Sequence, residues 1–264
     1  MDVSPLQSHD KRGKLYIVGT GPGDLLHITP RALKALAEAE CVIGNGIYLD
    51  LVMPVIAGKE VIRSSMGREV ERASRALDLA RDRTIAMVSG GDAGVYGMAG
   101  IVLEVAESSG STVEIEVIPG ITAALSAAAR LGSPLSGDYV TISLSDLLTP
   151  LEEIERRLDL AFQMGVPVVL YNPRSRGRPH NLETAIGIAR RHLPDDTPVG
   201  VVRNAYRDGE ERLITTLGEF NGHISFVDMH SIVFVGGEET RIWRNEADER
   251  GIITPRGYHR KYVY

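Results

Sequence analysis

The chain has 264 residues and a formal net charge of -6, and 43% of its residues are hydrophobic while 24% are charged. This composition predicts a packed globular protein with one large or two small domains. The single cysteine, Cys41, excludes an internal disulfide framework, a cysteine-rich zinc site and an intrachain iron–sulfur cluster, and it favours a cytoplasmic setting. The acidic balance argues against nucleic acid as a partner, and the lack of a long apolar segment argues against a membrane.

Strand and helix patterns alternate five times in the first half of the chain. The predicted strands are 14–19, 41–44, 61–62, 84–88 and 113–118. The predicted helices are 30–38, 68–81, 98–108 and an alanine-rich one ending at Leu131. Thr29 and Pro30 form a helix start, with Thr29 as the N-cap. The alternation predicts a mostly parallel sheet with helices on both faces.

The turn-rich stretch 132–137 separates this region from a second periodic region. We therefore expect an N-terminal α/β domain at 14–134, a C-terminal α/β domain at 138–237 and a charged tail without regular structure at 238–264. Predicted strands of the second region are 139–144, 166–171, 198–202, 211–217 and 231–235, which together indicate a mixed sheet. Its helices are 181–192 and one opened by the capping box Thr149-Pro-Leu-Glu152.

Three glycine-rich loops follow predicted strands, at 19–24, 89–97 and 119–123. Glycine lets a ligand approach the main chain closely, and ligands of α/β sheets bind outside the carboxyl ends of the strands. Tight turns without a ligand are the alternative interpretation. The first loop fails the dinucleotide fingerprint, because Asp24 replaces the last glycine and Pro22 lacks an N–H group. Its acidic end favours a neutral or positively charged ligand over a phosphate.

These loops carry the resemblance of the chain to a known family. With Val202-Arg-Asn-Ala205 they form four motifs in order, and the sequence is thereby similar to the tetrapyrrole methylases, which transfer a methyl group from S-adenosylmethionine. The second motif departs slightly, with Ala93-Gly94 where proline often comes first. Stretches 143–150, 171–178 and 253–262 most resemble the members that methylate carbon 17 of precorrin-3B in cobalamin biosynthesis.

The resemblance implies a two-domain enzyme, usually a homodimer, with the cofactor in a cleft between the domains. It implies that methyl transfer is coupled to ring contraction and that S-adenosylhomocysteine is the product. Because methyl transfer from a sulfonium disperses positive charge rather than creating it, we expect no catalytic metal on the protein. The implied cofactor contacts are Pro22, Gly90, Gly91, Asp92, Val95, Thr122, Ala123, Tyr171, Asn172 and Ala205. Asp92 either accepts a hydrogen bond from the ligand or only shapes its turn.

The tetrapyrrole substrate would carry many carboxylates, which guanidinium groups bind in bidentate fashion. Candidate partners are Arg174, Arg176, Arg178 and His180; the alternative is a solvated charged face. A second basic cluster consists of Arg256, His259, Arg260 and Lys261, interleaved with Tyr258 and Tyr262; the alternative there is a disordered tail.

Ring contraction requires proton movement, for which Asp24 is the first catalytic candidate, with His27 and Asp146 behind it. Each of these residues is equally compatible with a cap or a surface position. Two other functions stay open: a methylase of the same family acting on another ring carbon, and a non-catalytic tetrapyrrole-binding protein. The sequence also leaves open whether the ring already carries cobalt.

Overall fold

The computed structural model describes residues 13–244 and 249–263. The chain forms two compact units, one ending at Thr122 and the other beginning at Ala123. The domain boundary expected from the sequence, at 132–137, lies later in the chain than the boundary between these units, because the first helix of the second unit precedes it. Within the described ranges, no helix combines the length and the apolarity needed to cross a membrane.

In its described residues, from 13 to 122, the first unit is a five-stranded parallel sheet with four α-helices. Its strands are β1 (Lys14–Gly19), β2 (Cys41–Asn45), β3 (Glu60–Ser64), β4 (Thr84–Ser89) and β5 (Glu114–Ile118). Its helices are α1 (Pro30–Glu38), α2 (Gly46–Ile56), α3 (Glu69–Leu79) and α4 (Ala99–Ser109). The strand order is β3-β2-β4-β1-β5 and every pairing is parallel, which confirms the prediction from the alternating pattern.

Both faces of this sheet are covered by helices. Leu15 and Ile17 of β1 pack with α3 and α4, whereas Tyr16 and Val18 pack with α1 and α2. Successive side chains of a strand point to opposite faces, so one strand supplies both cores. The helix start at Thr29 is also confirmed, since the Thr29 hydroxyl accepts a hydrogen bond from the N–H of Ala32 at 3.1 Å.

Helix α2 was not predicted from the sequence. It contains Pro54, which normally argues against a helix interior, and its residues are mostly apolar rather than periodic. Asn45 caps its start by accepting a hydrogen bond from the Ile47 N–H at 3.0 Å. Tertiary packing outweighs the local signal here, because Leu49, Val52 and Ile56 are all buried.

The second unit contains a five-stranded mixed sheet and a smaller three-stranded one. Its helices are α5 (Ala123–Leu131), α6 (Leu151–Gln163) and α7 (Asn181–Ala189). Its strands are β6 (Gly132–Ser133), β7 (Val140–Ser143), β8 (Val168–Tyr171), β9 (Pro198–Arg203), β10 (Glu211–Thr216), β11 (Ser231–Val235), β12 (Arg241–Arg244) and β13 (Glu249–Ile253). The orders are β10-β9-β11-β8-β7 and β12-β13-β6. Only the β7–β8 pairing of the larger sheet is parallel, which confirms the predicted mixed character.

The larger sheet of this unit is also packed on both faces. Helices α6 and α7 contribute Leu158, Phe162 and Ile186 to the core on one face. On the other face, Leu131 of α5 and Ile252 of β13 pack with the alternate strand residues.

Two predictions for this unit were wrong. The segment beyond Gly237 was expected to lack regular structure, but it forms β12 and β13, and Ile252 is fully buried. The capping box at the start of α6 does not form: Pro150 occupies the N-cap position and no side chain caps the helix. The acidic first turn of α6 stabilises it instead, because Glu153 pairs with Arg156 at 2.8 Å and with Arg157 at 3.0 Å.

Candidate active site

The three glycine-rich loops of the first unit start at the same edge of its sheet. Gly19 of β1 is in register with Ser89 of β4, and Val18 is in register with Ile118 of β5. All three strands run in parallel, so the loops leave their carboxyl ends side by side. This is the edge at which ligands of parallel α/β sheets bind.

Main-chain hydrogen bonds join the first loop to the second. Gly21 and Gly91 exchange N–H···O bonds of 3.0 and 2.9 Å. Thr20 donates to the carbonyl of Ser89 through its N–H at 2.9 Å and its hydroxyl at 3.1 Å. Gly21 and Gly91 have φ values of +72° and +67°, which disfavour any side chain. The two loops therefore form one rigid structure.

The third loop packs against the other two through glycine. A Cβ atom at Gly120 would lie 2.2 Å from the carbonyl oxygen of Gly91, and one at Gly19 would lie 2.6 Å from the nitrogen of Gly120. Such distances are far below van der Waals contact. The glycines at these positions therefore serve first to let three main chains touch.

Asp92 connects the second loop to the third. One carboxylate oxygen accepts from the N–H of Gly94 at 2.8 Å and the other accepts from the N–H of Gly120 at 2.9 Å. Of the two roles left open for Asp92, the structure supports the shaping of its turn. The negative charge at this edge also suits a cationic ligand better than a phosphate.

The tip of the second loop is the accessible part of this edge. Val95 and Tyr96 are exposed, and Tyr96 has a φ of +51°, which is unusual for a residue with a side chain. Gly90 lies against the ring of Tyr48, since a Cβ there would be 2.2 Å from a ring carbon. The sequence did not point to Tyr48, because it lies on the unpredicted helix α2.

Asp24 caps the short 3-10 helix Leu25–His27. One of its oxygens accepts from the Leu26 N–H at 2.8 Å, and the other lies 3.6 Å from Nδ1 of His27. The Asp24 side chain is 40% exposed, so a capping role leaves its carboxylate accessible to a substrate.

In the second unit, the carboxyl ends of β7, β8 and β9 lie at one edge of the larger sheet. β7 is parallel to β8, while β8 and β9 are both antiparallel to β11 between them. Ser143, Tyr171 and Arg203 end these strands. The motif residues Asn172 and Ala205 therefore follow the strands at this same edge.

Tyr171 and Asn172 are both fixed by hydrogen bonds. The buried hydroxyl of Tyr171 accepts from the N–H of Ala124 in the first turn of α5 at 2.8 Å. Asn172 has a φ of +51° and donates through its side-chain amide to the Ser143 hydroxyl at 2.9 Å. The loop after β9 also carries positive φ values, +51° at Asn204 and +57° at Tyr206, with Ala205 half-buried between them. Strained residues of this kind cluster at functional sites.

The four basic residues of the 171–180 segment differ in their partners and in their exposure. Arg174 donates to the carbonyl of Ile224 at 3.1 Å, and Nε of Arg178 lies 3.9 Å from the Asp146 carboxylate. Arg176 is exposed at the tip of a tight turn, and the His180 side chain is 84% exposed. The four candidates thus differ in how accessible they are to a substrate.

The C-terminal basic cluster is ordered rather than a disordered tail. Tyr258–Arg260 form a 3-10 helix, the rings of Tyr258 and Tyr262 have centroids 6.4 Å apart, and Arg260 pairs with Glu239.

Cys41 is buried, and that burial raises the pKa of its thiol. In the described part of the chain, no group of three or more His, Cys, Asp or Glu residues could hold a metal ion.

Comparisons with known proteins agree with this arrangement of loops. The model of the family "Tetrapyrrole (Corrin/Porphyrin) Methylases" matches residues 14–221. The chain is 43% identical over 245 residues to a probable cobalt-factor III C(17)-methyltransferase of Salmonella typhimurium, covering 92% of this chain and 99% of that one. It is 40% identical over 250 residues to a precorrin-3B C(17)-methyltransferase of Sinorhizobium sp, covering 93% and 97%.

Other curated relatives are longer. The chain spans about half the length of two of them, 54% of a cobalamin biosynthesis protein, CbiHC, of Archaeoglobus fulgidus and 46% of a cobalt-factor III methyltransferase of Priestia megaterium. Among solved structures, the methyltransferase CobJ superposes with a TM-score of 0.85 at 33% identity, covering 92% of this chain and all of that one. The chain belongs to the tetrapyrrole methylases.

Proposed function

We propose that the protein is an S-adenosylmethionine-dependent methyltransferase that acts on carbon 17 of precorrin-3B or of its cobalt form, with ring contraction to the precorrin-4 level. The observation that carries the proposal is the junction of three glycine loops at the carboxyl edge of the parallel sheet. Family membership and the activities of the two relatives that the chain matches over nearly their whole length support the same reaction.

The residues that follow the carboxyl ends of the strands, in the sheet of each unit, fit such a cofactor. S-adenosylmethionine supplies an electrophilic methyl group on a sulfonium. Gly90, Gly91 and Asp92 offer closely packed main chain and negative charge, and Val95 offers exposed apolar surface. Pro22, Thr122 and Ala123 belong to the neighbouring loops, and Tyr171, Asn172 and Ala205 belong to the edge of the second unit. That the cofactor lies in a cleft between the units stays a prediction of the family resemblance.

The chain's own contribution to methyl transfer is alignment. A fixed and correctly oriented pair of reactants can gain about 7–11 kcal/mol over free encounter. The hydrogen-bonded junction of loops supplies a rigid frame for this purpose. The nucleophile is a carbon of the substrate, so no covalent nucleophile of the protein is required. Asp24, with an accessible carboxylate, is the proposed group for the proton movement of ring contraction.

Arg174, Arg176, Arg178 and His180 are the proposed contacts to the carboxylates of the ring. Arg176 is the most accessible arginine of the four-residue set, so Arg176→Gln should weaken ring binding while leaving the affinity for S-adenosylhomocysteine unchanged. We further propose a cytoplasmic homodimer, on the strength of the family resemblance.

The test is a methyl-transfer assay. The protein is incubated with methyl-labelled S-adenosylmethionine and with either precorrin-3B or its cobalt form, and the product is analysed by mass spectrometry and NMR. One added methyl on carbon 17 is expected. Label on another ring carbon would favour a different methylase of the family, and ring binding without transfer would favour a non-catalytic binder.

A further inference from the structure

A cavity opens at the carboxyl edge of the first unit's sheet, two strands from the glycine junction. It has a volume of about 240 Å³ and lies between the ends of β2 and β3 and the first turns of α3. Its charged lining residues are Arg63, Arg68, Glu71, Arg72 and Arg75. Four guanidinium groups and one carboxylate line this small space, and Asp50 and Glu69 lie against two of the arginines, so one positive charge remains in excess.

Arg72 is the buried member of this set. Only 3% of its side chain is exposed. One terminal nitrogen donates to the Ser64 hydroxyl and to the Ser65 carbonyl, and the other donates to the sulfur of Met98 at 3.2 Å. Its Nε group is buried and finds no acceptor among the described residues. A buried donor without a partner is costly, so the Nε group requires an acceptor that the described side chains and main chain do not supply.

The carboxylates near this cavity do not balance its arginines. Asp50 pairs with Arg63 at 2.6 Å, and Glu71 pairs with Arg68 at 2.7 Å. Glu69 lies 3.6 Å from Arg72, too far for a hydrogen bond, and burial lowers the pKa of the Arg72 guanidinium. Arg75 makes no ion pair with any residue in the described part of the chain.

Two hydrogen bonds through Met98 link the cavity to the second glycine loop. Arg72 contacts the Met98 side chain, and the Met98 N–H donates to the Ser89 hydroxyl at 3.2 Å, where the second loop begins. Neighbouring strands are about 4.8 Å apart, so the end of β3 lies roughly 10 Å from the end of β4. A ligand held at the glycine loops and extending along the sheet edge would reach the cavity.

We propose that this cavity binds a peripheral carboxylate of the macrocycle substrate, with Arg72 and Arg75 as its principal donors. The inference rests on the proposed function, because it takes the ring as the source of the anion. A carboxylate would give the Nε group of Arg72 its missing acceptor and would neutralise Arg75. The cavity would thus give the first unit its own contact to a ring carboxylate, in addition to the contacts proposed for Arg176 in the second unit.

The test uses Arg75→Gln and Arg72→Lys, with Arg81→Gln as the matched control. Arg81 is exposed and follows α3, so its replacement by glutamine removes the same charge outside the cavity. Each variant is assayed for kcat and KM with the ring substrate and for its Kd for S-adenosylhomocysteine. Binding of a carboxylated porphyrin, uroporphyrin III, is measured by its fluorescence, and inorganic phosphate is tested for its effect on the melting temperature.

Arg75→Gln and Arg72→Lys should each raise KM and the porphyrin Kd about tenfold, with the S-adenosylhomocysteine Kd and the Arg81→Gln values unchanged. Unchanged KM in folded Arg75→Gln would overturn the inference while leaving the proposed function intact. Stabilisation by phosphate that is lost in the variants, with unchanged KM, would also overturn it by identifying a free anion as the occupant. If no methyl transfer occurs in the wild type but porphyrin binding still weakens in the variants, the proposed function fails and the cavity stands.

Discussion

Replacement of Gly120 by alanine tests whether the junction of main chains holds the site together. The new Cβ atom would lie 2.2 Å from the carbonyl oxygen of Gly91, against about 3.4 Å for an ordinary contact, so the two loops would have to separate by about 1.2 Å. The same movement would stretch the 2.9 Å bond from Gly120 N–H to Asp92. Gly120 does not have a positive φ, so the backbone itself accepts alanine and the effect is purely one of packing.

Overpacking of this kind costs about 1–3 kcal/mol of folding free energy. Complete loss of the charge-assisted hydrogen bond would cost about 1.5–3 kcal/mol more, and its weakening costs less. Because the hydrogen bond is only partly lost, we expect the free energy of unfolding of Gly120→Ala, measured in urea, to fall by about 2–4 kcal/mol. We also expect its affinity for S-adenosylhomocysteine, measured by calorimetry, to fall at least tenfold, on the order expected for an ångström-scale displacement.

Gly100→Ala is the matched control, because a Cβ there meets no atom within 4 Å and the position lies on the surface of α4. Alanine in a helix is favoured over glycine by about 1 kcal/mol, so this variant should be slightly stabilised and should bind the ligand normally. If Gly120→Ala bound S-adenosylhomocysteine as tightly as the wild type does, the assignment of the ligand to this junction would be refuted.

Three further predictions concern single side chains. Asp92→Asn loses one of the two carboxylate oxygens that accept hydrogen bonds, so it should reduce the free energy of unfolding by about 1.5–3 kcal/mol and weaken ligand binding. Asp24→Asn should keep its helix cap and bind S-adenosylhomocysteine normally, but its kcat should fall. Equal effects in the two variants would contradict these roles. Tyr171→Phe leaves the buried N–H at the start of α5 without its partner and should lower stability by about 1–3 kcal/mol, which Tyr139→Phe, at a partly exposed position, should not do. The two arginines beside Glu153 lower the pKa of its carboxyl to about 2, so its stabilising contribution is present above about pH 4.5 and is lost as the pH falls towards 2. The difference in the free energy of unfolding between the wild type and Glu153→Gln should vanish over that range. A constant difference would argue against the ion pair.

The sequence was most informative where strands are fully buried. The buried strands β1, β2 and β4 coincide with apolar runs, whereas the more exposed β3 showed only a short apolar pair and β5 an alternating pattern. The alternation of strands with helices predicted that the sheet is parallel. Helix α2 escaped prediction because Pro54 and a uniformly apolar composition removed the helical period. Strands β12 and β13 pair with each other, but their place in a sheet depends on a non-local pairing that the sequence does not show: β13 joins β6, which lies more than a hundred residues earlier.

For the site, the sequence located the loops but not how they are held. The glycines of 89–97 predicted close approach to a ligand, whereas the structure shows that Gly120 and Gly91 first approach each other. A steric contact between main chains distant in sequence leaves no local signal. Arg72 was likewise invisible, since a charged residue in a helical pattern normally indicates a solvated face, and only the fold reveals that it is buried.

The main-chain junction also bears on how such enzymes diversify. Under the proposed function, the part of the donor-binding surface at this junction is main chain, and peptide groups are common to every amino acid. Substitution of side chains can change that part of the surface very little. New substrates must then arise from changes at the surrounding positions, such as the arginine-bearing turns and the tips of the loops. An inherited methyl-donor platform can in this way stay constant while the residues around it adapt to successive intermediates.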